Sequence, residues 1–329
     1  MRSPREAPPG WFTWLLRKEW RELLASRSWW IFLALMGPLV GVSFISAAQT
    51  YAEASGLHGT ALGVGEAFSP LIGVWAPTFS ACELAAAFLL PFVAIRLVAS
   101  DRQSGALKLE LQGPASPLAR VSAKSLVLLA GWVVASLAPS IAVGLWLSYG
   151  GHVAWSELAA VLLGHLLNAG LTVALAAAAA AVTEHPSTAA ILTLSVTVGT
   201  WILSFIAAVQ GGWWERVAGY TPTAMVGEFQ HGLIRLSVVL VCAVLIALGV
   251  SLAAIWLRIG VPVRRRAAHS GLVVAAGAAA LALAATAFRS WDVTEQRYNS
   301  FSRSEEAALR TIGAPLHIPA YLAAEDPRR

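Results

Sequence analysis

Apolar residues in this chain come in blocks of about 20, separated by short polar stretches, and a helix of that length crosses a hydrocarbon core of ~30 Å. Seven such blocks read as membrane spans: Trp29–Gln49, Ala76–Ser100, Ser125–Tyr149, Leu158–Val182, Ala189–Gln210, Ser237–Leu257 and Gly271–Phe288. Before the first of them lies "WFTWLLRKEWRELLASR". Here Trp11, Trp14, Leu15, Leu23 and Leu24 recur at helical spacing, with Arg17, Lys18, Arg21 and Glu22 in the intervening turns. That pattern predicts a helix lying among lipid headgroups. A cytosolic helix packed on a partner subunit is the alternative.

Composition supports the membrane reading. The chain is 57% hydrophobic and only 12% charged, about half the charged content of a soluble domain. Its net charge of +5 does not indicate nucleic acid, because the basic residues sit at span ends. Fifteen Lys and Arg fall on one side of the alternating spans, with Arg216 and Arg235 alone on the other before the last span. The excess predicts a cytoplasmic N-terminus and an extracytoplasmic C-terminus. The first apolar run follows a long basic stretch and is long enough to remain a span, which argues against a secretory signal. Cys82 and Cys242 lie inside apolar runs and read as small hydrophobes.

The expected architecture is an all-α polytopic membrane protein. It has an interfacial helix over residues 1–28, a six-span domain over 29–258, a basic linker and seventh span over 259–288, and a polar tail over 289–329.

Ionisable residues inside spans point to pairs or pathways. Arg96 is near enough to a span end to snorkel. Glu83 either faces a cavity or is neutral and hydrogen-bonded between helices, and both readings stand. His165, Asn168 and Thr172 share one face of span four at i, i+3, i+7. Interhelical hydrogen bonds, worth on the order of 1 kcal/mol each, are favoured there over a lined path. The alanines from Ala176 to Ala181 and the pair Gly37 and Gly41 read as close-packing surfaces, and Pro38 and Pro91 as kink positions.

Catalytic patterns are missing. None of the three lysines follows a glycine as a phosphate-binding loop requires, and no H-E-x-x-H or G-x-S-x-G stretch occurs. The expectation is a chain without enzymatic chemistry, cofactor or metal of its own. A motor, if present, is another subunit.

The order of parts resembles the permease family of ATP-binding-cassette transporters of the ABC-2 type. The connection "ASDRQSGALKLELQGPASPLARVSAK" carries the resemblance through Asp101, Arg102, Ser104, Gly105, Leu107, Pro114, Ser116 and Lys124. Ala106 and Lys108 depart from the family pattern. "GYTPTAMVGEFQHGLIRLSVVL" adds Pro222 and Gly232. The resemblance implies a multi-pass subunit of the bacterial inner membrane that pairs with a second permease copy or a homologous subunit. It further implies cytosolic ATPase subunits that carry ATP and Mg, received by the loop from Asp101 through Leu118 to Lys124. A non-transporting scaffold for an extracytoplasmic complex is the competing function.

The tail, "RSWDVTEQRYNSFSRSEEAALRTIGAPLHIPAYLAAEDPRR", resembles the start of the auxiliary ectodomain subunit of gliding-motility-type ABC-2 systems. Trp291, Asp292, Thr294, Arg297, Asn299, Ser300 and Ser302 carry that match. Ser302 and Glu305 also form a capping-box pattern that predicts a helix to Arg310. Residues 315–323 read as an edge strand, to be completed by a partner's sheet or by a longer ectodomain.

Overall fold

A computed structural model describes residues 10–55, 69–103, 116–258 and 260–312, without the side chains of 100–103. Seven of its helical segments are long and apolar enough to cross a membrane. The protein is an all-α polytopic membrane protein.

Helix α1 (Trp11–Ala25) precedes the spans and turns at Ser26 into α2 (Arg27–Ala54), the first of them. Span two is divided. It opens with a π-helical turn (Leu71–Trp75), continues as α3 (Ala76–Phe88) and, after Leu89, as α4 (Leu90–Gln103). Span three is α5 (Pro117–Ala135) followed by α6 (Leu137–Ser148). Span four is α7 (Trp155–Val182) and span five α8 (Pro186–Gln210). Two short helices, α9 (Trp213–Ala218) and α10 (Pro222–Gln230), lead through β1 (Leu233–Arg235) to span six, α11 (Leu236–Trp256). Span seven is α12 (Val263–Ala285), followed by β2 (Ser290–Asp292) and α13 (Arg303–Arg310).

Proline explains the divisions. A proline gives no N–H to the carbonyl four residues back, so the helix loosens there. Pro91 follows the break at Leu89 and leaves Ala87 O without its intrahelical donor. The Thr197 hydroxyl of α8 donates to that oxygen at 2.8 Å, so the irregular turn is satisfied from a neighbouring span. Pro139 stands in the first turn of α6, just after the break at Ser136. By contrast, α2 stays one helix through Pro38.

Helix α7 is the centre, packed against α3, α4, α5, α8, α10 and α11. Small residues make this possible in a solvent where tail-like side chains gain nothing from leaving lipid, so close van der Waals packing does the holding. A Cβ on Gly164 would fall 2.7 Å from the Phe229 Cβ, and one on Gly249 would fall 2.9 Å from the Ala174 Cβ. Ala176, Ala177, Ala180 and Ala181 are buried as expected of a packing stripe. Gly37 and Gly41 are not: a Cβ on either would meet nothing within 4 Å among the described residues.

Helix α1 also differs from the expected single apolar face. Leu15 and Leu23 turn inward together with Glu19, while Trp14 and Leu24 are exposed. Residues 15, 19 and 23 share a face at i, i+4, i+8, whereas Trp14 and Leu24 lie one residue, or about 100°, off it. The apolar set is therefore split between the bundle and the surroundings.

Candidate functional site

Three polar centres stand out, two at opposite ends of the bundle and one between them.

At the α1 end, Lys124 Nζ lies 2.6 Å from Glu19 Oε2 and donates to Leu97 O at 3.1 Å. Both side chains are buried, at 6% and 0% exposure. Lys18 Nζ reaches Glu19 Oε1 at 3.3 Å and Glu22 Oε1 at 3.2 Å, and Glu22 Oε2 is 4.0 Å from Lys124 Nζ. Lys18, Glu19, Glu22 and Lys124 thus form one linked cluster of opposite charges. Burial pushes the Glu19 carboxyl above the usual carboxylate range, against the pull of Lys124 and Lys18. The cluster fastens α1 to the end of α4 and the start of α5, the two roots of the connection from Asp101 to Lys124. Tight packing reinforces the joint, since a Cβ on Gly131 of α5 would sit 3.0 Å from Leu23 Cδ2 and 3.2 Å from the Trp29 ring.

In that connection, Asp101 and Arg102 belong to the last turn of α4. Ser104, Gly105, Leu107 and Pro114 lie outside the described residues. Ser116 caps α5, its Oγ accepting from Ala119 N at 3.2 Å, and Pro117 takes the first helical position. Leu118 is half-exposed and Val121 buried.

At the opposite end, the tail folds back onto its own chain. Strand β2 pairs antiparallel with β1, setting Leu233 against Asp292, Ile234 against Trp291 and Arg235 against Ser290. Gly232 makes the turn between α10 and β1 at φ +73°, and a Cβ there would meet Thr294 Cγ2 at 2.4 Å. Asp292 organises the following loop. Its Oδ1 accepts from Thr294 N at 3.0 Å and Thr294 Oγ1 at 2.6 Å, and its Oδ2 from Asn299 N at 2.8 Å and Ser300 Oγ at 2.9 Å. Burial works to raise its pKa, but these four bonds prevail and hold the carboxyl below the usual aspartate range.

Three further bonds anchor the loop to the bundle. Glu157 in the first turn of α7 accepts from Glu295 N at 2.9 Å, Ser156 Oγ donates to Val293 O at 2.8 Å, and Asn299 Nδ2 donates to His231 O at 2.8 Å. Arg297 takes the left-handed conformation at φ +53° within the loop. Ser302 and Glu305 form the expected capping box at the start of α13. Trp291, Asp292, Thr294 and Arg297 are therefore brought together in one docked loop. The β1–β2 pairing was not foreseen, and the expected strand over residues 315–323 lies outside the described residues.

Between the two ends is a small cavity whose largely apolar wall carries several polar side chains. Glu83, Asn168, Thr172, Thr197, Thr200 and Thr223 contribute to its wall, bringing α3, α7, α8 and α10 together. Of the residues marked by sequence, Glu83, Asn168 and Thr172 meet here. His165 does not line it. His165 is buried against the Phe79 ring at 5.5 Å between centroids, with Gln230 Nε2 3.4 Å from its Nε2. Sequence reasoning missed Glu19, Glu157 and the threonines of α8 and α10. For Glu19 the signal was available: a carboxylate midway between Leu15 and Leu23 on one helical face.

The family model described as "ABC-2 family transporter protein" matches residues 13–222. The chain belongs to the ABC-2 transporter family. It is a permease subunit of an ABC transporter, a non-catalytic membrane component whose family implies an ABC ATPase as partner. The match takes in the α1 clamp, both roots of the Asp101–Lys124 connection and most of the cavity wall, whereas spans six and seven and the tail of this permease lie beyond it. No curated protein matches the chain.

Proposed function

We propose that the protein is the membrane subunit of an ABC-2 exporter or mechanical device of the bacterial inner membrane, driven by separate cytosolic ATPases gripping the connection from Asp101 to Lys124. The observation that carries this reading is Lys124 bridging Glu19 and Leu97 O. A soluble motor moves membrane helices only through a stiff handle. Here the two roots of the connection and α1 are fastened by a buried ion pair, so force applied to the connection reaches spans two and three together. The α1 end is then cytoplasmic and the tail end extracytoplasmic, in line with the fifteen-to-two basic asymmetry. Two permease copies, or this chain and a homologue, form the transporter. The tail is the beginning of an ectodomain of the gliding-motility type, seated on the permease through β1 and β2.

Leu118 provides the test. It is 51% exposed in the first turn of α5, so Leu118→Asp leaves the bundle intact. Facing a motor's apolar groove, the same carboxylate costs several kcal/mol. Co-purification of the ATPase is expected to fall at least tenfold with unchanged thermal stability of the permease. Full recovery of the ATPase removes this connection as the docking element. Cysteines at Arg265 and Ser304 test the orientation, with only the second reacting with an impermeant reagent in intact cells.

A further inference from the structure

The cavity at Glu83 holds an arrangement that the coupling geometry leaves unused. Glu83 is 8% exposed, and among the described residues its Oε1 has no hydrogen-bond partner. The hydroxyls of Thr197 and Thr200 donate to Ala87 O at 2.8 Å and to Thr197 O at 3.0 Å. Their protons are committed to the backbone, so toward the cavity these two residues present only oxygen lone pairs. No Lys, Arg or His is among the lining residues. The wall is mostly apolar with a few acceptors set in it, and among the described residues its carboxyl group has no cation beside it. Such a group in a low-dielectric site is either protonated or met by a partner that brings donors and positive charge. An ammonium group has three donors and no acceptor.

The rim narrows the choice. Val196 and Trp201, on the wall and midway along α8, are 46% and 40% exposed on a face turned away from the bundle. At that position on a membrane-spanning helix, the mouth opens sideways at mid-span, away from both aqueous ends. A hydrated ion arriving from water does not suit such an entrance, whereas an apolar body with a small polar head does.

We propose that this cavity binds the primary ammonium head of an amphiphile entering laterally from the membrane. The assignment rests on the permease reading, because it names the class of molecule the permease handles. Glu83 would pair with the ammonium, and Asn168, Thr172 and the α8 threonines would accept its remaining N–H groups.

The test uses the full-length protein in a neutral maltoside detergent, with thermal unfolding followed on addition of dodecylamine or dodecanol. Dodecylamine is expected to raise the midpoint saturably and dodecanol is not. Glu83→Gln should weaken the apparent affinity about tenfold or more, the loss typical of a charge-assisted bond. Glu53→Gln, an exposed carboxylate outside the cavity, should leave it unchanged. Thr172→Val, near-isosteric, should weaken binding severalfold and covers the case in which Glu83→Gln fails to fold. Nanodiscs of phosphatidylethanolamine and of phosphatidylglycerol separate the sources. Glu83-dependent stabilisation by the former assigns the site to a resident lipid headgroup, and a response to dodecylamine alone assigns it to a single-chain amine. Equal responses to amine and alcohol, or an amine response identical in wild type and both cavity variants, overturn the proposal. If the amine arm fails while the ATPase still co-purifies, the ligand assignment falls and the permease reading stands.

Discussion

Removing the positive partner of the α1 clamp is expected to unseat α1. In Lys124→Met, Glu19 keeps only Lys18 at 3.3 Å, a partner 23% exposed, while remaining fully buried itself. Stripping one member from a buried ion pair costs ~3–5 kcal/mol, because the other charge is left in a low-dielectric site. Partial compensation by Lys18 puts the expected loss near ~3 kcal/mol. Glu19→Leu alone should cost a similar amount, since Lys124 then loses its 2.6 Å carboxylate partner while staying buried. The double variant is the decisive one. Glu19→Leu with Lys124→Met removes both charges, leaves the Lys18–Glu22 pair balanced, and fills the same space with apolar groups. Such replacements are commonly neutral or stabilising. The double variant should therefore unfold within ~1 kcal/mol of the parent, giving a coupling energy of several kcal/mol. Chemical unfolding in detergent, read through tryptophan fluorescence, is a suitable assay because Trp29 packs at this joint. Additive losses in the double variant would refute the claim that the two residues act as a pair.

Other outcomes follow from the same geometry. Gly232→Ala forces a Cβ at φ +73° to within 2.4 Å of Thr294 Cγ2, so hydrogen exchange at residues 290–300 should accelerate at least tenfold while the spans stay protected. The Asp292 carboxyl is held below the usual aspartate range in the docked tail. Its stabilisation is complete above the unfolded-state value and fades as pH falls through the lower folded value. Protection of the Thr294 and Asn299 amides should thus persist to below the ordinary aspartate range, and Asp292→Asn should lose it already at neutral pH. Thr197→Val leaves Ala87 O without its donor and should cost on the order of 1 kcal/mol. Adding Pro91→Ala restores an intrahelical N–H and should recover that loss, which paired unfolding curves will show.

The spans were legible because a 20-residue apolar run has few alternatives in a membrane. Leu236–Trp256, without a charge or a proline, needed nothing beyond composition. The divided second span was legible only through Pro91; that Thr197, 106 positions further on, would satisfy the freed carbonyl depends on packing that no local pattern encodes. The cavity was half legible. Glu83, Asn168 and Thr172 stood out as polar residues in apolar runs, but Thr200 and Thr223 look like ordinary span and cap residues until α8 and α10 are placed beside them. The capping box at Ser302 was read correctly because both its partners lie within one turn. Strand β2 was missed because its three residues are too short to show alternation, and their partner lies 57 positions earlier in the chain.

The clamp also dictates an order of events during synthesis. Glu19 and Lys124 are 105 residues apart. When α1 leaves the ribosome, the lysine that will pair with its inward-facing carboxylate from across the bundle has not been made, and two spans precede it in the chain. Until then α1 has no seat in the bundle, and Glu19 must be kept in water or near headgroups by rolling the helix. Burial of Leu15 and Leu23 is therefore a late step that follows insertion of α5. The first helix to be translated is among the last to be placed.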